Sequence, residues 1–150
     1  MLVCAGPNNE GFRETLETQA HALGVSEDLL FTEILDRNDL KTAYARADVF
    51  ALLSQKENFG LFVAEALASG IPGVISEGVD IAPLFQFEKP IRVVRTHPDE
   101  IAVALKSMLE RSATIGLPDP EAQALAGREW GNNRAQALVQ IYREILEGSA

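Results

Sequence analysis

"DVFALLSQKENFGLFVAEALASGIPGVIS", residues 48–76, decides the fold. "DVFALLS" is almost all apolar, which predicts a strand buried on both faces, central and parallel. Asn58 is a candidate cap for a helix running from about Phe59 to Ser69, and Gly70 and Pro72 end it. "GVIS", residues 73–76, is the next strand. A strand, a helix and a second strand in succession make a crossover unit, the building block of parallel sheets.

The same alternation extends in both directions. Upstream, "MLVCAG" reads as a strand stopped by Gly6-Pro7. "NEGFRETLETQAHALG" reads as a helix closed by Gly24, with Phe12, Leu16, Ala20 and Leu23 at helical spacing. "LLFTEIL" (29–35) is a strand and "NDLKTAYARA" (38–47) a short helix capped by Asn38 or Asp39. Downstream, "VDIAPLFQF" is a helix weakened by Pro83, and "IRVVR" (91–95) is a fifth strand. Helices follow over 98–111, over "DPEAQALAGREW", and over 132–147, where Leu138, Ile141, Tyr142 and Ile145 form an apolar stripe. Five strands alternating with helices predict an α/β, Rossmann-like, three-layer α/β/α fold around a five-stranded parallel sheet. One domain covers residues 1–150. "MLVCAG" and "DVFALLS" are both apolar and are expected to pair directly, giving strand order 2-1-3-4-5. That order would bring the loop from Gly6 to Asn9 opposite the loop holding Glu57.

Composition narrows the function. With 22 acidic against 13 basic residues the net charge is −9, which argues against nucleic acid or an anionic membrane as partner. No apolar run approaches the ~18 residues of a transmembrane helix. The single cysteine, Cys4, reads as a buried thiol and fits a reducing cytoplasm. His21 and His97 have no partner at metal-ligand spacing. "AGPNNEG" lacks the glycines of a dinucleotide fingerprint, and Ser54 lacks the glycine frame of a nucleophile elbow. Trp130 and Tyr142 read as packing residues.

Two carboxylates stand out, Glu57 and Glu65. In an open parallel sheet, ligands bind at the carboxyl ends of the strands. Glu57 lies in the loop at such an end. The amides of Phe59, Gly60 and Leu61 open the following helix and form an anion site. Gly60, without a side chain, would let a ligand approach the backbone. At helical rise the two carboxylates are roughly 10–12 Å apart, beyond the about 5–9.5 Å of a glycosidase pair. That separation suits the two ends of one extended ligand, with hydroxyls at each end and phosphates between. Spacing leaves a second reading open, in which Glu57 is a solvated loop acid and Glu65 faces water.

"LLSQKENFGLFVAEALASGIPGVIS" resembles the signature of retaining GT-B glycosyltransferases, in particular the large family four, also called glycosyl transferases group one. The match rests on Glu57, Phe59-Gly60, Glu65-Ala66 and Gly70-Ile71-Pro72. "YARADVFALLS" is similar to the family's run into this motif, and "EGVDIAPLF" and "VVRTHPDEIAVALKSML" to its later segments. The resemblance implies the donor-binding half of an enzyme that moves a sugar from a nucleotide-sugar to an acceptor with retention and without a metal or other cofactor. It further implies that Glu57, the candidate catalytic residue, contacts hydroxyls of the donor sugar. The amides of Phe59, Gly60 and Leu61 would hold the sugar and distal phosphate, and Glu65 the ribose hydroxyls.

Departures from the pattern are Leu53 for a common proline, Gly73 for a valine and Glu77-Gly78 for a Gly-Gly turn. The family's preceding strand and helix, with an Arg and a Lys that clamp the diphosphate, and its N-terminal acceptor domain are expected upstream of this chain. Lys56 reads as a solvated loop residue rather than a substitute cation. Two alternatives stand beside the transferase: a non-enzymatic fragment or pseudo-enzyme that binds only a nucleotide or a partner, and a sugar-nucleotide epimerase of similar architecture.

Overall fold

A computed structural model describes residues 1–8, 11–58 and 60–131. It divides into two compact units, Met1–Ala43 and the chain from Tyr44 onward. The first holds β1 (Leu2–Ala5), α1 (Phe12–Ala22), β2 (Leu29–Thr32) and most of α2 (Arg37–Arg46). β1 and β2 pair in parallel, Leu2 opposite Leu29 and Ala5 opposite Thr32. Gly24 ends α1 as expected: it takes φ 70, and its N–H reaches the His21 carbonyl at 3.1 Å. The cap of α2 is Asp36, not Asn38 or Asp39. Its Oδ1 accepts from the N–H groups of both those residues at 2.8 Å. A capping side chain must precede its helix, and α2 starts at Arg37. Cys4 is half-buried rather than buried, and the burial it has pushes its thiol pKa up.

The second unit contains β3 (Phe50–Leu52), α3 (Leu61–Ala68), β4 (Gly73–Ser76), a 3-10 turn (Ala82–Phe85), β5 (Ile91–Val94), α4 (Pro98–Ile115) and α5 (Pro120–Trp130). Its parallel sheet has the order β3-β4-β5. β4 is buried along its whole length and lies in the middle, and its side chains alternate between two clusters. Ile75 joins Val63, Leu67, Phe85, Ile91 and Leu125 beneath α3 and α5. Val74 joins Ala104 and Met108 of α4. Helices therefore cover both faces, and the expected three layers are present in this unit. Trp130 packs on Phe85 with ring centroids 5.7 Å apart, as a core residue should. The expected helix over 132–147, with Tyr142, lies outside the described residues.

Among the described residues the hydrogen-bonded strands form parallel sheets of two and of three, and the single five-stranded sheet of order 2-1-3-4-5 is not seen. Main-chain hydrogen bonds join β1 to β2 in one sheet and β3, β4 and β5 in another. The expected pairing of β1 with β3 assumed that both strands are buried, so that unpaired edges would be costly. Val3 is 45% exposed, however, and β3 has only half-buried or exposed residues. Water can serve such edge groups, so burial exerts no pressure toward pairing. Within the three-stranded sheet of its unit, β3 is an edge strand rather than the central one. The fully buried "GVIS" holds that place, although it is the shorter apolar run.

Around the turn from α3 to β4, Gly70 takes φ 78, and a Cβ there would lie 2.3 Å from Cβ of Pro118. Its carbonyl accepts the N–H of Asp119 at 2.7 Å. Asp119, 1% exposed, caps α5 through Oδ1 and holds the Arg111 Nε at 2.7 Å through Oδ2. Arg111 also reaches Glu121 at 2.7 Å. Burial alone would lower the Arg111 pKa, but its bonds to Asp119 and Glu121 outweigh that and raise it. These contacts fasten α4 and α5 to the turn that returns the chain to the central strand.

Candidate functional site

The carboxyl ends of β3 and β4 open into two loops that are tied together. The main chain of Glu57 bridges in parallel to Val79. Its N–H donates to the Gly78 carbonyl at 3.0 Å, and its own carbonyl accepts from Asp80 N–H at 2.9 Å. Below this bridge, the Ser76 hydroxyl at the end of β4 donates to the Ser54 carbonyl. Glu57 is half-buried, and its main chain is fixed by this framework.

Gly78 makes the approach possible: a Cβ there would meet the Gln55 carbonyl oxygen at 2.4 Å and the Ser54 oxygen at 2.5 Å. Only the second position of the Glu77-Gly78 turn carries this demand. Glu77 is exposed, and its N–H bonds to the Val94 carbonyl at 2.9 Å, so replacement of a first glycine costs no space. Gly73 likewise has a local counterpart: the Phe50 carbonyl and ring lie 3.3 and 3.5 Å from where its Cβ would be.

α3 begins at Leu61 with Gly60 at its N-cap, and Asn58 does not cap it. Gly60 has φ 54, and a Cβ on it would lie 3.0 Å from Ile81 Cδ1 and 3.2 Å from Val79 Cγ1. Side chains of this protein therefore fill the space that the sequence reading reserved for a ligand. Glycine is needed here for its left-handed backbone and for the close packing of the loop after β4. The Gly60 carbonyl accepts the Val63 N–H at 2.8 Å. The N–H groups of Leu61 and Phe62 then have no acceptor within the helix and point out of its N-terminus, where the helix dipole favours an anion. Leu61 itself is exposed, and Phe59 lies outside the described residues.

Glu65 sits one turn further along, on the exposed face. α3 buries Val63, Ala66 and Leu67, so its apolar composition does not bury Glu65. Since α3 starts only at Leu61, helical rise does not span Glu57 to Glu65, so the separation of roughly 10–12 Å expected from it loses that basis. Tyr44, which the sequence reading did not single out, donates to Glu65 Oε2 at 3.3 Å. Burial, and then the Glu65 charge and hydrogen bond, push the Tyr44 pKa well up. The two residues are 21 apart with no shared periodicity, so only the fold could reveal the pair.

At the same edge, the Arg95 guanidinium is committed to Glu100 by an ion pair. That hydrogen bond and the charges of Glu100 and Glu77 hold the Arg95 pKa up, and the same hydrogen bond with the Arg95 charge holds the Glu100 pKa down. Lys56 is exposed in its loop. No helix among the described residues is long and apolar enough to cross a membrane.

Comparison with known proteins gives a consistent picture. The family model described as "Glycosyl transferases group 1" matches residues 1–129. A D-inositol 3-phosphate glycosyltransferase of Corynebacterium urealyticum is 32% identical over 97% of this chain and 35% of its own length. An uncharacterized glycosyltransferase of Methanocaldococcus jannaschii is 33% identical over 97% of this chain and 37% of its own. The chain thus spans about a third of the curated relatives it matches. Among solved structures, sucrose-phosphate synthase from Thermosynechococcus elongatus superposes with a TM-score of 0.78 at 20% identity, over 98% of this chain and 39% of that one. HepE of Anabaena in complex with UDP-glucose gives 0.74 at 19% identity, over 92% and 40%. Those two likenesses speak for the Rossmann-like GT-B fold.

Proposed function

The chain belongs to the glycosyl transferases group 1 family, and from that premise we propose that residues 1–150 form the donor-binding domain of a glycosyltransferase that uses a nucleotide-sugar and retains the anomeric configuration. The observation that carries this reading is the tied pair of loops at the carboxyl ends of β3 and β4. They hold Glu57 in a fixed main-chain bridge beside the open N-terminus of α3, one turn before Glu65. A carboxylate, two outward N–H groups and a second carboxylate match the parts of a nucleotide-sugar in order. In this reading Glu57 accepts hydrogen bonds from the donor sugar. The N–H of Leu61 at the start of α3, with those of Phe59 and Gly60 that precede it in the sequence, holds the sugar and distal phosphate, and Glu65 accepts from the ribose hydroxyls. That HepE was solved with UDP-glucose supports a ligand of this class.

The acceptor, in this reading, is held by a further N-terminal domain, since the curated relatives are about three times as long as the stretch matched here. Transfer needs both substrates in register, so the 150 residues alone bind without turnover. The chain works in the reducing cytoplasm, where Cys4 stays a thiol. Calorimetric titration of the chain with a panel of nucleotide-sugars tests the proposal. One of them should bind, and Glu65→Gln should weaken it by about 1.5–3 kcal/mol. Sugar transfer by the isolated chain, or wild-type binding by Glu65→Gln, would contradict the assignment.

A further inference from the structure

Tyr44 opens the run "YARADVFALLS" that leads into the glutamate motif, and its contact with Glu65 is a feature of the fold rather than of that spacing. Tyr44 lies on α2 and is half-buried. Its ring leans on Phe50 of β3, with centroids 6.3 Å apart and planes at 54°. That packing fixes the ring, so the hydroxyl is presented from a strand-backed position. Two acceptors lie within its reach, Glu65 Oε2 at 3.3 Å and the Phe62 carbonyl at 3.4 Å. The hydroxyl has one proton to give, and a carboxylate is the stronger acceptor. Among the described residues, hydrogen bonds reach Oε2 of Glu65 and not Oε1. The bond therefore selects one orientation of an otherwise exposed, three-torsion side chain and leaves Oε1 for a ligand.

We propose that Tyr44 is a positioning residue that orients the Glu65 carboxylate toward a vicinal diol and so sets the preference of the site for ribonucleotides over 2′-deoxyribonucleotides. This rests on the reading of Glu65 as the ribose acceptor. A free glutamate on a helix surface samples several rotamers and loses that freedom when it binds. One held by a neighbour has already lost it, which raises the affinity for a diol that needs two aligned acceptor sites. A 2′-deoxyribose offers a single hydroxyl, which needs one acceptor and no alignment of two, and so gains nothing from it. The benefit of Tyr44 is thus confined to ligands carrying both hydroxyls.

UDP, GDP and ADP, each with its 2′-deoxy counterpart, are titrated into the 150-residue chain, into Tyr44→Phe, into Glu65→Gln and into the double variant, with folding checked by circular dichroism. Tyr44→Phe keeps the ring against Phe50 and removes the hydroxyl alone. The expected result is a ribose preference in the wild type and its loss in Glu65→Gln. Tyr44→Phe should reduce that preference by about threefold to tenfold while affinity for the 2′-deoxy form stays as in wild type. In the Glu65→Gln background the second substitution should change nothing further. A full ribose preference in Tyr44→Phe, with the preference lost in Glu65→Gln, overturns the role of Tyr44 and leaves the reading of Glu65 standing. An undiminished preference in Glu65→Gln, or binding of none of the three diphosphates, overturns both.

Discussion

Gly78 and Tyr44 carry the sharpest consequences at the scale of single residues. A methyl group at Gly78 would overlap main-chain oxygens at 2.4 and 2.5 Å, and backbone cannot swing aside as a side chain can. Gly78→Ala should cost about 1–3 kcal/mol in chemical denaturation and should weaken nucleotide binding, because the loop that must give way holds Glu57. Tyr44 predicts a pH dependence. Its folded-state pKa is raised, first by burial and then by Glu65. In the unfolded chain the phenol ionises near pH ~10. Below that pH its contribution to stability is fully present. Above it the unfolded state holds fewer protons than the native state, so stability falls as pH rises. Melting temperatures measured from pH 8 to 11 should show a smaller alkaline loss in Tyr44→Phe than in wild type. An identical alkaline limb would mean that the phenol is not held in this environment. Of the five residues named from sequence, Glu57, Gly60, Leu61 and Glu65 are described: Glu57 lies in the loop and Leu61 and Glu65 in the helix, as expected, while Gly60 is the N-cap rather than part of the first turn. The purpose of Gly60 was misread, because a glycine signals missing bulk and does not say whether Ile81 or a ligand fills the gap.

Among the elements, α5 depends on one buried charge. Asp119 caps the helix with Oδ1 and neutralises Arg111 with Oδ2, and the Arg111 side chain is only 13% exposed. Asp119→Ala removes the cap and leaves a guanidinium without its buried partner. Breaking such a pair costs about 3–5 kcal/mol. Asp119→Asn should cost less, since the amide oxygen still serves the N–H groups of Glu121 and Ala122. Urea denaturation of the two variants checks the order, and equal losses would show that charge, not capping, dominates. Helices with complete local signals were legible: Pro98 and two acids start α4, Asp119-Pro120 starts α5, and Gly24 closes α1. Starts without such signals were not. Asn58 looked like a cap, yet the chain turns left-handed at Gly60 and begins α3 two residues later than the cap implied. Asp36 was passed over for Asn38 because the boundary of α2 was placed one residue late.

For the molecule as a whole, the unequal distribution of core sets the expectation. In the unit Met1–Ala43, Ala20 is the one buried residue among those described, whereas the unit from Tyr44 on contains Val63, Leu67, Ile75, Phe85, Leu125 and the rest of the core. Amide exchange followed by mass spectrometry should therefore protect β4 and α3 most, and β1 and β2 markedly less. Equal protection would indicate a cooperative unit larger than the burial suggests. The α/β class and the order of elements were readable because periodicity and breakers are local. Which strands pair was not: "DVFALLS" and "GVIS" are both apolar runs, and hydrophobicity does not distinguish an edge strand from a central one when the deciding contacts come from helices far along the chain.

The bridge between Glu57 and Val79 also bears on the heat of binding. Ser54 and Glu57 are already hydrogen-bonded to the strand end and to the neighbouring loop before any ligand arrives. A nucleotide docking there need not fold this segment. The heat-capacity change measured by titration at several temperatures should then equal what the ligand's own buried apolar area accounts for, without the large negative excess that marks folding coupled to binding.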